Sequence, residues 1–264
     1  MRVTIMQRDI EWADPAKNLA RAEAAMLHIP ADTDLIVLPE MFATGFITDP
    51  TPHRGQCVSR FPRLNPSSES LSWMRHIAAE RGCAVAGSVA IQCDESYRNR
   101  FYFVKPDGSA TFYDKRHLFT YGGEDKHYTA GSERTVVEWR GVRFLLMVCY
   151  DLRFPIWSRN NEDYDAAIYV ASWPTPRTQT WQTLLHARAI ENQCFVIGVN
   201  RVGSDPNCDY SGGSVIIDAK GRDLATCPMN EESTATATLD MDALRAFREK
   251  FPVLNDRDEY IIKM

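Results

Sequence analysis

A mixed α/β fold follows from three features of this 264-residue sequence. Strand–helix–strand patterns stand near both ends of the chain, hairpin signals lie between them, and apolar runs of strand length recur throughout. Hydrophobic residues make up 44% and charged residues 25%, enough to build a full core in a globular chain. Periodicity alone leaves open how the sheets are arranged.

The elements can be justified in order. Residues 2–7 alternate as a strand. Asp14 and Pro15 then supply a cap and a first helical position for a helix carrying Leu19, Ala22, Met26 and Ile29. The run Leu35-Ile36-Val37-Leu38 is apolar on both faces and stops at Pro39, which leaves Glu40 at a strand's carboxyl end. A loop rich in Thr, Pro and Gly is predicted over residues 43–67. A helix with Leu71, Met74 and Ala78 on one face follows, closed by Gly82. Strands are predicted at 84–91, 100–105 and 110–115, the last two joined by Pro106-Asp107-Gly108-Ser109. Strands at 135–139 and 142–149 flank Arg140-Gly141. The opening pattern then returns as strand 166–172, helix 177–193 and strand 194–199. A hairpin around Asp218-Ala219-Lys220-Gly221, a strand at 234–239 and a helix after Asp240 with Leu244, Phe247 and Phe251 complete the chain. No linker, repeat or low-complexity stretch interrupts it, so one domain over 1–264 is expected.

Composition narrows the function classes. A formal charge of −5 argues against a nucleic-acid footprint. No apolar run approaches the roughly 20 residues that span a bilayer, and the charged start (Arg2, Arg8, Asp9) does not read as a signal peptide. Seven cysteines, an odd number without a CxxC pair, point to free thiols in a reducing compartment, and the cytoplasm is the expected location. No HExxH or similar spacing supports a metal hydrolase. Gly212-Gly213 lacks the rest of a dinucleotide fingerprint and reads as a strand start.

The densest chemical signal is Val148-Cys149-Tyr150-Asp151-Leu152-Arg153-Phe154-Pro155. An apolar strand delivers a cysteine to its carboxyl end, where α/β sheets gather their sites. A thiolate there can attack a carbonyl, with the Tyr150 N–H helping to hold the oxyanion. Free cysteine is also among the most buried residue types, so a structural role is the ordinary alternative. Leu38-Pro39-Glu40-Met41-Phe42 puts a carboxylate just past a strand, and Tyr113-Asp114-Lys115-Arg116-His117-Leu118-Phe119 does the same for a lysine. Alone, each is an everyday loop charge. Together, Cys, Glu and Lys supply the nucleophile, proton shuttle and positive charge that amide hydrolysis needs.

Those three segments, in that order and spacing, resemble the signatures of the nitrilase superfamily of carbon–nitrogen hydrolases. The resemblance runs down to Pro252-Val253-Leu254-Asn255-Asp256-Arg257-Asp258-Glu259-Tyr260, which is similar to the family's C-terminal tail. It implies a four-layer αββα sandwich and a homodimer, with the tail (about 251–264) at the interface. It also implies catalytic roles for Glu40, Lys115 and Cys149, and for Glu124 of Gly122-Gly123-Glu124-Asp125, which would orient Lys115 or the amide nitrogen. Cys-Tyr-Asp-Leu-Arg-Phe-Pro, the Gly-Gly-Glu loop and Ser172-Trp173-Pro174 resemble the ω-amidase branch. The implied substrate is therefore a small 2-oxo-dicarboxylic acid monoamide, with no metal or organic cofactor. Around it, Phe119, Tyr121 and Trp173 suit pocket walls. Arg153 either grips the distal carboxylate or pairs with Asp151 to hold the loop.

Two rivals stand beside this reading. One is a Cys–His dyad using His117 or His186. The other is a non-catalytic binding protein on the same fold, which the loss of Glu40, Lys115 or Cys149 would have favoured; none is missing. Cys57, Cys83, Cys93, Cys194, Cys208 and Cys227, most of them in or beside predicted strands or in loops without basic company, are read as structural.

Overall fold

Strand alternation decides the layering. Along β1 (Arg2–Gln7), Val3 and Ile5 enter one hydrophobic cluster while Met6 enters another, as a period of two requires. In the computed structural model, which describes residues 1–53, 59–61, 69–93 and 96–262, the same division repeats across a whole sheet. After β1 come α1 (Pro15–Met26), β2 (Leu35–Val37), β3 (Ser59–Phe61), α2 (Glu69–Arg81), β4 (Ala84–Cys93), β5 (Ser96–Val104) and β6 (Ala110–Asp114). The chain continues with β7 (Val136–Trp139), β8 (Val142–Val148), β9 (Ala166–Ala171), α3 (Thr178–Glu191) and β10 (Phe195–Asn200). It closes with β11 (Val202–Ser204), β12 (Asp209–Ser211), β13 (Val215–Ile217), β14 (Asp223–Thr226), β15 (Ser233–Thr238) and α4 (Met241–Lys250).

The first sheet runs β15-β1-β2-β4-β5-β6, with β3 beside β4; the second runs β14-β13-β10-β9-β8-β7. Each has a parallel centre, β1-β2-β4 in one and β8-β9-β10 in the other, flanked by antiparallel strands. Parallel neighbours need long crossovers, which α1, α2 and α3 supply. Leu35, Val37, Ala86, Phe101 and Phe103 of the first sheet share a cluster with Phe144, Leu146 and Ile168 of the second. The Phe103 and Phe144 rings meet across the sheets at 5.7 Å. The opposite face of the first sheet (Ile36, Val85, Tyr102, Val104) packs on Leu19 and Met26 of α1 and Leu71, Met74 and Ile77 of α2. On the far side of the second sheet, α3 sits so close over β10 that a Cβ on Gly198 would lie 2.5 Å from Leu185. The result is the αββα sandwich.

Local chemistry explains the boundaries. The Asp14 carboxylate accepts the Lys17 N–H at 3.0 Å and Pro15 opens α1; Asp240 accepts the Ala243 N–H at 2.9 Å to start α4. Gly82 follows α2 at φ +62°.

Several expectations need correction. The segment read as a loop over 43–67 contains β3 and a 3-10 turn at Thr51–His53; a three-residue strand carries too little pattern to see. The β4–β5 hairpin is longer than expected, because Arg98 and Arg100 alternate with inward residues instead of ending the strand. The β11–β12 ribbon lies in a polar stretch and gave no apolar alternation. The strand before Cys149 ends at Val148, and Cys149 opens a 3-10 turn, Cys149–Arg153, because its backbone is left-handed at φ +46°. Phe251 falls past the end of α4 and is exposed. Gly212 and Gly213, both at positive φ, do precede β13. No helix among the described residues is long and apolar enough to cross a membrane.

If α3 holds the outer layer through its fully buried side chains, Leu185→Ala should lower unfolding stability by about 2–5 kcal/mol. Urea denaturation checks this, and a loss under about 1 kcal/mol would show that α3 contributes little to the core.

Candidate active site

Two connections, one after β2 and one between β6 and β7, bring the polar cluster together. Past β2, Leu38 N–H still bonds Ala86 O at 2.8 Å. The chain then turns at Met41, whose φ is +45° and whose N–H donates to Ser88 Oγ at 3.0 Å. Glu40 is left pointing inward and fully buried. Lys115 directly follows β6; its N–H donates to Asn99 O at 3.0 Å and its carbonyl accepts the Gly131 N–H at 2.9 Å. Glu124 starts a 3-10 turn after Gly123, which adopts φ +76°.

The Lys115 ammonium is the hub. Its Nζ lies 2.9 Å from Glu40 Oε1, and 3.1 and 2.8 Å from Glu124 Oε1 and Oε2. All three side chains are inaccessible to solvent. The remaining acceptor capacity of the carboxylates is taken up by other donors. Asn99 Nδ2 donates to Glu40 Oε1 at 2.7 Å and to Glu124 Oε1 at 3.1 Å. Ser172 N–H donates to Glu40 Oε2 at 2.8 Å, and Phe119 N–H to Glu124 Oε2 at 2.6 Å. Burial disfavours the ammonium, but Glu124 and Glu40 outweigh it and hold Lys115 above the ordinary lysine range. Burial, with Glu40 adding repulsion against the pull of Lys115, moves Glu124 up from the usual carboxylate range.

Cys149 is 8% exposed. Its left-handed backbone, a strained conformation for a residue with a side chain, is held by Asp151. That carboxylate accepts Val148 N–H at 2.9 Å and Tyr113 OH at 2.8 Å through Oδ2, and His117 N–H at 3.0 Å through Oδ1, which also faces His117 Nδ1 at 2.8 Å. Arg188 grips the same turn through Leu152 O at 2.6 Å. Burial pushes the Cys149 thiol well above its ordinary value, the neighbouring Glu40 adds to this, and Lys115 opposes it. Burial and Glu40 thus favour the protonated thiol form of Cys149.

A narrow cavity of about 50 Å³ leads to Cys149, walled by Phe46, Phe119, Tyr150, Arg153, Trp173 and Arg177 among others. It opens into a vestibule of about 860 Å³. Of the residues expected at the site, Tyr150, Arg153, Phe119 and Trp173 line the inner cavity. Tyr121 is 87% exposed and lines only the vestibule. Arg153 does not pair with Asp151, whose oxygens are already taken. Its guanidinium lies 5.0 Å over the Trp173 ring, with no carboxylate partner among the described residues. Neither histidine of the rival dyad lines the cavity: His117 stacks on Phe154 at 3.8 Å, and His186 bonds Gln182 O and Asp223. Cys57 lies outside the described residues, and Cys83, Cys194, Cys208 and Cys227, like Cys149, are free thiols.

Sequence reasoning missed Asn99 and Arg177. Asn99 had a readable signal, since it shares the inward phase of β5 with Tyr97 and Phe101 between Arg98 and Arg100. A polar residue in a buried phase calls for partners. Arg177 lies three residues past Ser172-Trp173-Pro174, but nothing in its own segment marked it as a cavity wall.

Comparison with known proteins agrees with this geometry. The chain matches the carbon–nitrogen hydrolase family over residues 2–249. It is 45% identical over 263 residues to the omega-amidase YafV of Yersinia enterocolitica, covering 99% of this chain and 98% of that one. It is 35% identical over 260 residues to the 2-oxoglutaramate amidase of Bacillus subtilis, covering 96% of each. The crystal structure of XC1258 from Xanthomonas campestris, described as a CN-hydrolase superfamily protein with an arsenic adduct in the active site, superposes with a TM-score of 0.93 at 38% identity. That match covers 100% of this chain and 99% of the other.

Because its thiol is raised above the ordinary value of 9.0, Cys149 should contribute no thiolate at neutral pH. The ultraviolet thiolate absorbance of the wild type minus that of Cys149→Ala should stay flat up to about pH 9. A step in that difference near neutral pH would show a preformed thiolate instead.

Proposed function

Because this chain belongs to the carbon–nitrogen hydrolase family, we propose that it is an amidohydrolase acting on the terminal amide of a 2-oxo-dicarboxylic acid monoamide such as 2-oxoglutaramate. The observation that carries the chemistry is the single buried ammonium of Lys115 shared by Glu40 and Glu124 beside the Cys149 thiol. The names borne by the relatives support the substrate class, as does an arginine without a carboxylate partner on the cavity wall.

In this reading, Cys149 Sγ attacks the amide carbon and passes its proton to Glu40. Lys115 and the Tyr150 N–H, at the start of a helical turn where no intrahelical acceptor exists, hold the oxyanion. Glu40 then protonates the leaving nitrogen, the C–N bond breaks, and ammonia departs from a thioester. Water attacks the thioester as Glu40 takes its proton. The C–S bond breaks, the proton returns to sulfur, and the acid leaves. Glu124 keeps Lys115 charged and aimed. No step asks for a metal or an organic cofactor. A purely binding protein would have no use for an ammonium and two carboxylates buried around a thiol.

We further propose that residues 1–264 form one domain, that the chain works as a homodimer, and that it resides in the cytoplasm, where its free thiols persist. Support for the dimer comes from apolar side chains left in solvent. Ile156 follows the cysteine turn, Ile190 lies on α3, and Phe251 and Ile261 lie in the tail, Ile261 being 89% exposed. Leu254 is buried and Arg257 bonds Glu162 at 2.7 Å, so the tail is anchored up to that point.

Ammonia release from 2-oxoglutaramate, glutamine, asparagine, N-carbamoyl-β-alanine and a simple nitrile tests the substrate class; a preference for any of the last four would overturn it. Glu40→Gln should reduce turnover by about 10²–10⁴-fold and Cys149→Ala should abolish it, while mass spectrometry of the wild type with substrate finds an acyl adduct on Cys149. Substantial turnover by Cys149→Ala would sink the mechanism. Light scattering should show a dimer at micromolar concentration, burying upwards of about 2,000 Å². Removal of residues 251–264 should shift it toward monomer, and a monomeric full-length chain would reject the assembly.

A further inference from the structure

Two arginines wall the cavity above Cys149, and the proposed chemistry uses only one of them. Arg153 lies over the Trp173 ring at 5.0 Å, and Arg177 over the Phe119 ring at 5.5 Å. All four side chains line the inner cavity with Cys149, and Arg177 also faces the vestibule. Their positions are linked, because Trp173 Nε1–H donates to the carbonyl of Arg177 at 2.8 Å. The aromatic ring beneath Arg153 thus fixes the backbone that presents Arg177.

What sets the pair apart is what they lack. Deeply buried arginines elsewhere reach carboxylates, as Arg188 does to Glu191 and Arg201 to Asp9. Others, such as Arg81 and Arg116, bond backbone carbonyls. Arg153 and Arg177 show neither an ion pair nor a side-chain hydrogen bond among the described residues. The nearby Asp205 is not a partner, since its carboxylate accepts the N–H groups of Asn207 and Cys208 and the hydroxyl of Tyr210. Each guanidinium therefore faces the cavity with its donors uncommitted, in a protein whose net charge is −5.

We infer that Arg177 is a specificity-determining residue that forms, with Arg153, a two-armed cradle for the anionic end of the substrate. The inference rests on the amidase reading above. A 2-oxo carboxylate offers three acceptor oxygens close to one plane, more than a single bidentate fork engages. One guanidinium takes the carboxylate, and the other bridges a carboxylate oxygen and the oxo oxygen. Aromatic faces beneath both arginines hold the forks upright and strip water from one side of each. The scissile amide at the opposite end is left toward Cys149. The cradle acts on binding and so belongs mainly in KM.

Three five-carbon amides of equal length separate the contributions: 2-oxoglutaramate, glutaramate without the oxo group, and uncharged pentanamide. Arg177→Gln should fold with an unchanged melting temperature and lose roughly tenfold to a hundredfold in kcat/KM on 2-oxoglutaramate, chiefly through KM. It should lose less on glutaramate and change less than about twofold on pentanamide. Arg177→Lys, which keeps the charge but not the fork, should fall between wild type and Arg177→Gln on 2-oxoglutaramate. Equal losses on all three amides, or no loss on 2-oxoglutaramate, would overturn the cradle. A wild type that does not prefer 2-oxoglutaramate to pentanamide would overturn the proposed function and the cradle with it, whereas a preference that survives Arg177→Gln would remove the cradle alone.

Discussion

The Lys115 ammonium, buried with no access to water, is the constraint on which the rest of the structure depends. An ion in that position is tolerated only with close counter-charge and filled hydrogen bonds, and removing one partner of such a pair costs about 3–5 kcal/mol. The counter-charges come from loops far apart in sequence, Glu40 after β2 and Glu124 after β6. The neutral donors come from Asn99 on β5, Ser172 after β9 and the Phe119 backbone. The ammonium gathers the loops of the first sheet, and the Ser172 N–H after β9 ties that cluster to the second sheet through Glu40. Burial, Glu40 and Glu124 all push the adjacent Cys149 thiol upward, against the opposing pull of Lys115.

The cysteine turn is built by different means. Its left-handed backbone would relax if left to itself, and a single carboxylate, Asp151, stops it with bonds to the turn's own backbone, to Tyr113 and to His117. Tyr113 and His117 flank Lys115 in sequence. The segment that delivers the ammonium therefore also clamps the Cys149 turn, and the two cannot drift independently. Trp157 Nε1–H donates to the Tyr113 hydroxyl at 3.0 Å and extends the clamp into the core. Preorganisation of this sort lets fixed charges act at the moment of reaction without rearrangement.

Polarity is graded from the cavity floor outward. The charged cluster is sealed from solvent beside Cys149, the cavity walls are aromatic, and the arginines stand against those walls. Outside the cavity, the surface charge is negative overall, so the arginines supply the local attraction that the protein as a whole does not.

Much of this was legible in the sequence, for identifiable reasons. The central strands were readable because burial on both faces makes them uniformly apolar, and Asp14, Gly82 and Asp240 marked helix ends through local capping chemistry. Glu40 and Cys149 each follow such a strand, Lys115 follows the edge strand β6, and the three stood out as a set through their combination and the resemblance of their segments to the family's signatures. Short strands such as β3, β11 and β12 were not, since three residues in polar surroundings carry no period. Tertiary structure alone decided which side chains meet. Asn99 could be suspected from its inward phase, but its bonds to Glu40 and Glu124 depend on the register of β5 against β4 and β6. The freedom of Arg153 depends on Asp151 having found other donors, and the placement of Arg177 on the Trp173 indole N–H of the same β9–α3 loop, which the fold sets against the cavity. Sequence sets what each segment can form by itself; long-range contacts set its partners, because hydrogen bonds and charges are satisfied in space and not along the chain.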